Sequence, residues 1–338
     1  MKTAVIIPNY NGSRFLPPCM AALDRETTDQ FSTIVVDNGS TDGSLRWLSH
    51  WAAEDRDRHI LLQNPENLGF SSAVNRGIRF AVQKGFSYAI LLNNDTEVFP
   101  DFVENLVRAM DQDRRGRLFA LSSRMLQKSD PDKIDDAGDQ YTLLGWQFQR
   151  GHGEPEGRFQ KPAAVFSACA GAAIYRLSLL SETGLFDEAH FAYLEDIDLS
   201  FRARLYGFEI RYEPSAGVLH VGSGTSGSRY NSFKVRLSAR NSIYLLYKNM
   251  PPALLVLNAV PLLLGFFIKL LFFWKKGFGR EYLSGLREGL RTRRHLKKAD
   301  FRRVSPRRLL SIELCLLLSV FEYLGQKLRE KGGLSHAH

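Results

Sequence analysis

The chain has 338 residues, 44% hydrophobic and 24% charged, which suits one large folded domain plus an appendage and excludes a disordered polymer. Its net charge of +9 is uneven: residues 275–308 hold 13 Lys/Arg against 3 Asp/Glu, so the rest of the chain is near neutral and any basic partner surface lies at the C-terminal end. Cys19, Cys169 and Cys315 are odd in number and far apart, which speaks against a disulfide framework or thiolate cluster and suits a reducing compartment.

Ala4 to Ile7 predicts a first strand, stopped by Pro8 and far too short for a signal peptide, so synthesis in the cytoplasm is expected. It ends in Pro8-Asn9-Tyr10-Asn11-Gly12, with a helix from about Pro17. Thr33 to Val36 predicts a second strand, ending in Asp37-Asn38-Gly39-Ser40-Thr41-Asp42-Gly43-Ser44 ahead of a helix through Trp47 and Trp51. Ile60 to Gln63 is a third, followed by Asn64 to Phe70 and a helix carrying Val74, Ile78 and Ala81 at helical spacing. Tyr88 to Leu92 reads as a buried parallel strand because its apolar run is continuous; it stops at Asn93-Asn94-Asp95-Thr96-Glu97, and Pro100 opens the next helix.

Four such alternations before residue 112 predict an α/β, doubly wound, mostly parallel sheet whose strand ends form a binding edge. Asp37 would pair with the N3–H of a uracil or thymine, and the amides around Asn9 to Gly12 would hold ribose or phosphate. Asp95 is the first candidate ligand for a divalent cation bridging a pyrophosphate. Each loop taken singly is equally an ordinary capping turn. No Walker or Rossmann glycine fingerprint occurs, which excludes a P-loop or dinucleotide site.

Ser129 to Pro162 reads as irregular, with Tyr141, Trp146 and Phe159 either on the acceptor side or in a satellite core. Ala168 to Arg176 predicts a strand on the cleft floor, and Glu209 to Tyr212 a further short one. In Glu195-Asp196-Ile197-Asp198, Leu199, Ala203 and Tyr206 share one helix face, so the acids occupy a first helical turn. Capping accounts for Asp198; three crowded acids suggest a general base among them. His220 precedes Gly222-Ser223-Gly224-Thr225-Ser226-Gly227, a segment suited to closing over a ligand. Arg240 and Asn241 are expected to open the helix after it, as phosphate contacts or as plain helix residues.

Taken together, these ordered motifs resemble a family-2 glycosyltransferase of the GT-A fold, most nearly its rhamnosyltransferase-like branch, over about residues 3–250. The resemblance implies a GT-A catalytic domain over 1–250, with a nucleotide-binding half to about 112 and an acceptor half from 113. It also implies nucleotide-sugar contacts from Pro8, Asn9, Tyr10, Asp37, Asn67, Gly69, Asn75, Arg76 and Asn94. Asp196 would be the base of an inverting transfer, with Glu195 beside it. Asp95 and His220 would hold a divalent cation. Asn93 stands where the family's Asp-x-Asp motif has its first Asp, so a more weakly held cation is expected, Mn²⁺ ahead of Mg²⁺ because His220 offers nitrogen. The branch points to dTDP-rhamnose as donor, then UDP-sugars.

Beyond residue 250, Ala253 to Trp274 is an apolar run long enough to cross a bilayer, and Phe272-Phe273-Trp274 followed by Lys275-Lys276 has the profile of an interfacial anchor. Leu309 to Leu324, with Glu313 and Glu322, is better suited to lying on the membrane or against the first run. Residues 251–338 are therefore expected to form a basic helical extension on the inner face of the cell membrane. A lipid-linked saccharide or other envelope glycan is the expected acceptor. The alternative is a helical dimerisation arm. A non-catalytic nucleotide-sugar or glycan binder, suggested by Asn93, and a nucleic-acid binder using Arg291 to Arg308 are the competing readings; the second leaves the four loops unexplained.

Overall fold

In the computed structural model, residues 2–222 and 230–334 are described. Strand β1 (Thr3–Asn9) sets the layering: Ala4 and Ile6 enter one core while Val5 and Ile7 enter another, all fully buried. Successive side chains of a strand point to opposite faces, so a strand apolar on both needs helices on both. Those helices follow each strand: α1 (Leu16–Leu23), β2 (Phe31–Asn38), α2 (Ser44–Glu54), β3 (His59–Asn64), α3 (Phe70–Gln83) and β4 (Tyr88–Leu92). β3, β2, β1 and β4 lie side by side in that order, parallel throughout. The doubly wound, mostly parallel sheet expected from the alternation is what forms.

The second half adds antiparallel pieces. β5 (Thr96–Val98) and α4 (Phe102–Asp111) precede β6 (Leu118–Gln127), β7 (Asp130–Asp136), β8 (Asp139–Tyr141), β9 (Gln147–Gln149), β10 (Ala163–Ala164) and β11 (Ala172–Arg176). α5 (Leu177–Thr183), α6 (Glu195–Leu205) and β12 (Glu209–His220) complete the sheet region, whose order is β10-β12-β6-β11-β4-β1-β2-β3, with β5 on β12 and β7 on β6. Two expectations are corrected here. Ser129 to Pro162 is not irregular but carries β7, β8 and β9, and the cleft-floor strand keeps only its second half, β11.

α7 (Ser232–Asn249), α8 (Pro252–Leu257), α9 (Ala259–Lys275), α10 (Gly279–Thr292) and α11 (Pro306–Leu334) follow. The run Ala253 to Trp274 is therefore not one helix: it breaks at Asn258, whose side chain donates to Glu313 on α11 at 2.8 Å. α11 is instead the one helix among the described residues long and apolar enough to cross a membrane by length and composition, over Pro306–Glu330. Leu254, Leu262, Ile312 and Leu316 from these helices share a core with Ile197, Phe201 and Leu205 of α6 and with Tyr141 and Phe166.

Candidate active site

Amide side chains stitch the four strand ends together. Asn94 donates to Asn9 Oδ1 at 2.7 Å, and Asn9 donates to Asp37 Oδ1 at 2.9 Å. The other Asp37 oxygen accepts from the Ser40 amide at 3.1 Å. Asn64 donates to Asn38 at 2.8 Å, Asn38 to Asn67 at 2.9 Å, and Arg76 to Asn64. Register explains the pairing, since Asn9 lies opposite Asp37 and Asn38 opposite Asn64 across parallel strands. Glycine is required where the loops touch: a Cβ on Gly39 (φ +76°) would meet Glu66 Cα at 2.6 Å, and one on Gly69 (φ +86°) would meet Phe191 O at 2.6 Å. Pro8 and Tyr10 are half-buried beside this seam. Asn75 is buried on α3, where it exchanges hydrogen bonds with Phe186 (2.8 and 3.1 Å) and donates to Glu188; it brackets the two halves of the domain rather than facing the strand-end crevice.

Asp95 and His220 meet. Antiparallel pairing of β5 with β12 sets His220 opposite Thr96, and Val221 N donates to Asp95 O at 3.1 Å. His220 Nε2 lies 3.4 Å from Asp95 Oδ1, while Nδ1 is held by Asp135 Oδ2 at 2.7 Å. A carboxylate on one ring nitrogen fixes the imidazole and leaves the other for a cation, so the donor set fits a divalent metal with mixed nitrogen and oxygen ligands. Asn93 turns its amide over Gly171, 3.1 Å from where a Cβ there would sit, and its carbonyl accepts from Thr96 Oγ1.

The acids of α6 occupy its first turn as expected. The preceding loop is strained: Phe191, Tyr193 and Leu194 have φ of 62°, 71° and 65°, a region costly for residues with a Cβ. Arg240 and Asn241 hold it. They do not open a helix but sit inside α7, where Asn241 Nδ2 lies 3.0, 2.8 and 2.7 Å from the carbonyls of His190, Ala192 and Tyr193, and Arg240 donates to those of Ala189 and His190. The glycine-rich segment proposed as a closing lid lies, from residue 223 on, outside the described residues.

Asp196 opens into a cavity of about 880 Å³ lined also by Asp136, Asp139, Trp146, Tyr193, Glu195 and Lys269. Burial raises its carboxyl to about 6, held there by amide hydrogen bonds from Ile197 and Ala170. Burial and the neighbouring Asp196 charge push Glu195 further, to about 8, and burial beside Asp135 pushes Asp136 to about 7. Asp139 is raised too, by burial and the charge of Asp136. Asp196 thus ionises first, as a base near neutral pH needs. Asp136, Asp139 and Cys169 bring ligand atoms within 4.8 Å of one another beside it. Asp198 differs: buried, bonded by Lys248, Arg202 and Asn249, it is held well below the usual carboxylate range by those two cations and is structural.

Asp135, Asp136 and Asp139 were invisible as site residues in the sequence. Consecutive strand residues point to opposite sides, so Asp135 reaches His220 while Asp136 reaches the cavity of Asp196. The end of β7 joins the Asp95–His220 pair to the cavity of Asp196.

The profile of glycosyl transferase family 2 matches residues 4–184, more than half of the chain. The chain belongs to that family. This glycosyltransferase is 29% identical over 252 residues to the N-acetylglucosaminyl-diphospho-decaprenol L-rhamnosyltransferase of Mycobacterium tuberculosis, covering 66% of this chain and 77% of that one. It is 25% identical over 213 residues to the polyprenol monophosphomannose synthase of Mycolicibacterium smegmatis, covering 62% and 74%. A 106-residue stretch, 31% of this chain, is 35% identical to the uncharacterized glycosyltransferase YibD of Escherichia coli but spans only 29% of that protein. Among solved structures, GalNAc-T7 with UDP, GalNAc and Mn²⁺ superposes with a TM-score of 0.58 at 16% identity, over 73% of this chain and 47% of that one. The mannosyltransferase PcManGT of Pyrobaculum calidifontis with GDP-Man and Mn²⁺ does so at 0.53 and 14%, over 86% and 75%. The fold is GT-A.

Proposed function

We propose that this glycosyltransferase moves a sugar with inversion from a nucleoside-diphosphate donor, dTDP-rhamnose first and UDP-sugars next, to a hydroxyl of a polyprenyl-linked saccharide or other envelope glycan. The observation that supports this most is Asp196, a carboxylate tuned near neutrality and opening into a cavity that Asp136 also lines, next in sequence to the Asp135 that holds His220. Asp196 takes the proton of the acceptor hydroxyl, whose oxygen attacks the anomeric carbon as the nucleoside diphosphate leaves. One carboxylate base is enough, and no protein nucleophile is needed. Pro8, Asn9, Tyr10, Asp37, Asn67, Gly69 and Asn94 form the nucleotide edge; among the described residues each Asp37 oxygen accepts a single protein bond and keeps a lone pair for a base N–H. Asp95 and His220, with Asn93 beside them, would hold a divalent cation, manganese ahead of magnesium. When bound it neutralises charge on the departing diphosphate. The diphospho-decaprenol acceptor and rhamnosyl donor in the mycobacterial relative's name support the substrate classes.

A panel of dTDP-rhamnose, UDP-sugars and GDP-sugars, assayed for transfer with and without metal, tests this reading. Chelation with EDTA should lower turnover at least 100-fold and Mn²⁺ should restore it better than Mg²⁺. Undiminished transfer in EDTA would remove the metal from the scheme.

The helices after residue 250 seat the enzyme on the inner face of the cell membrane. Their outward side chains Val260, Leu263, Phe267, Leu271, Leu318 and Phe321 are each more than half exposed, apolar groups of the kind that seat a helix in a membrane interface. Changing Phe267, Leu271, Leu318 and Phe321 together to Glu should move the full-length protein from the membrane pellet to the supernatant. Retention of that variant in the pellet would sink the assignment.

A further inference from the structure

α9 is amphipathic in the sense opposite to a soluble surface helix. Val260, Leu263, Leu264, Phe267, Leu271 and Trp274 point outward, whereas Lys269 and Lys276 line the cavity that ends at Asp196. Packing fixes this rotation. A Cβ on Gly265 would collide with the carbonyl of Leu144, so that face of α9 is pressed on the turn leading to Trp146, and Lys269 follows one helical turn later on the same side. Trp146 Nε1 donates to Gly265 O at 3.1 Å, which locks the contact.

Snorkelling explains a lysine that reaches from an apolar helix into water, and exposed Lys275 fits that description. It does not explain Lys269. Among the described residues Lys269 has no hydrogen-bond or ion-pair partner, and no carboxylate acts on it. Its burial is only partial, and an ammonium that faces a cavity without a counter-charge is a ready partner for an anion held there. Lys327, contributed to the same cavity by α11, is already paired with Glu330 at 2.7 Å. Among the described residues that line the cavity, Lys269 and Lys276 are the lysines left for a ligand. Beside them the cavity is walled by Ile268, Phe272 and Phe273 of α9 and by Tyr323 of α11. It therefore has an acidic inner end, a cationic side wall and an apolar flank.

We propose that Lys269 and Lys276 form a diphosphate subsite for the acceptor. They hold the diphosphate of a prenyl-linked sugar with the sugar hydroxyl toward Asp196 and the hydrocarbon chain leaving between α9 and α11. This rests on the acceptor class proposed above and adds the residues that select it.

Binding to the full-length protein in detergent, measured by calorimetry, tests the subsite without turnover. Geranylgeranyl diphosphate should bind at least ten times more tightly than geranylgeraniol and than inorganic pyrophosphate. Lys269→Gln should weaken the diphosphate at least tenfold and leave the alcohol where it was, Lys276→Gln should act in the same direction, and Lys269→Arg, which keeps the charge, should retain the preference. An unchanged melting midpoint establishes that the variants fold. Equal affinity for diphosphate and alcohol in the wild type, or a Lys269→Gln protein that still prefers the diphosphate, would overturn the subsite. Pyrophosphate binding as well as the prenyl compound would overturn the lipid assignment. Displacement of the prenyl diphosphate by phosphatidylglycerol vesicles at equal phosphate would assign the lysines to bulk headgroups instead. Failure of the wild type to turn over any nucleotide sugar would count against the proposed function alone, because these affinity ratios do not depend on it.

Discussion

Replacing Asp196 with Asn should lower transfer by about 10³-fold, within the range for loss of a general base, while the affinity for nucleoside diphosphate stays within a factor of two. The pH profile carries more information than the loss. Asp196 must be ionised to accept a proton, and burial lifts its carboxyl to about 6. The wild-type rate should therefore climb as pH rises through about 6 and flatten above it, a limb some two units higher than an ordinary aspartate gives. Burial raises this limb, and hydrogen bonds from the Ile197 and Ala170 amides and the Asp139 side chain temper it; Glu195 on the same helix, Asp136 on β7, Asp139 on β8, and Cys169 and Tyr175 beside and on β11 are the titratable groups that face it. In Asp196→Asn the limb should vanish. A variant that keeps more than a tenth of the wild-type rate, or the same limb, would show that another group is the base.

Lys248→Met should cost about 3 kcal/mol of stability, the lower end for breaking a buried ion pair. The Lys248 side chain is 3% exposed and Asp198 wholly buried; Nζ donates to both Asp198 oxygens at 2.8 and 2.9 Å and pairs with Asp187. The cost stays at the low end because Arg202 and Asn249 remain on Asp198. A thermal midpoint lower by roughly 6–12 °C is expected, at about 2–4 °C per kcal/mol for a large domain. Asp198 sits below its ordinary pKa, so its stabilisation is present at neutral pH and fades as pH falls below the ordinary carboxylate range. A midpoint within 2 °C of the wild type would mean that this ammonium is dispensable.

How much of this was readable in the sequence depends on how local each signal was. β4 falls on Tyr88–Leu92 and α6 starts on Glu195, because a continuous apolar run and an acidic first turn are written within a few residues. Asp95 and His220 are 125 positions apart, and only their motif context joined them; the antiparallel pairing of β5 with β12 does so physically. β7 escaped notice because Asp130-Pro131-Asp132-Lys133 reads as a turn and its pairing with β6 is irregular. With it went Asp135 and Asp136. Asn241 reads in the sequence as a phosphate contact or a plain helix residue, yet its role is set by a strained loop about fifty residues earlier that no pattern announces. At the C-terminus hydropathy found the apolar segments but not the break at Asn258, where Pro261 cannot donate to the carbonyl of Leu257 and the Asn258 side chain bonds to a distant helix.

The core shared by α6 with α8, α9 and α11 makes the C-terminal helices a foundation rather than a detachable foot. Cutting the chain after residue 250 would strip apolar cover from Ile197, Phe201 and Leu205, the underside of the helix whose first turn carries Glu195 and Asp196. A truncated enzyme would lose its aim along with the proposed anchorage, and the two losses would arrive together in any assay. Anchorage can be separated from aim only by altering the outward-facing side chains and leaving the inward-facing ones in place.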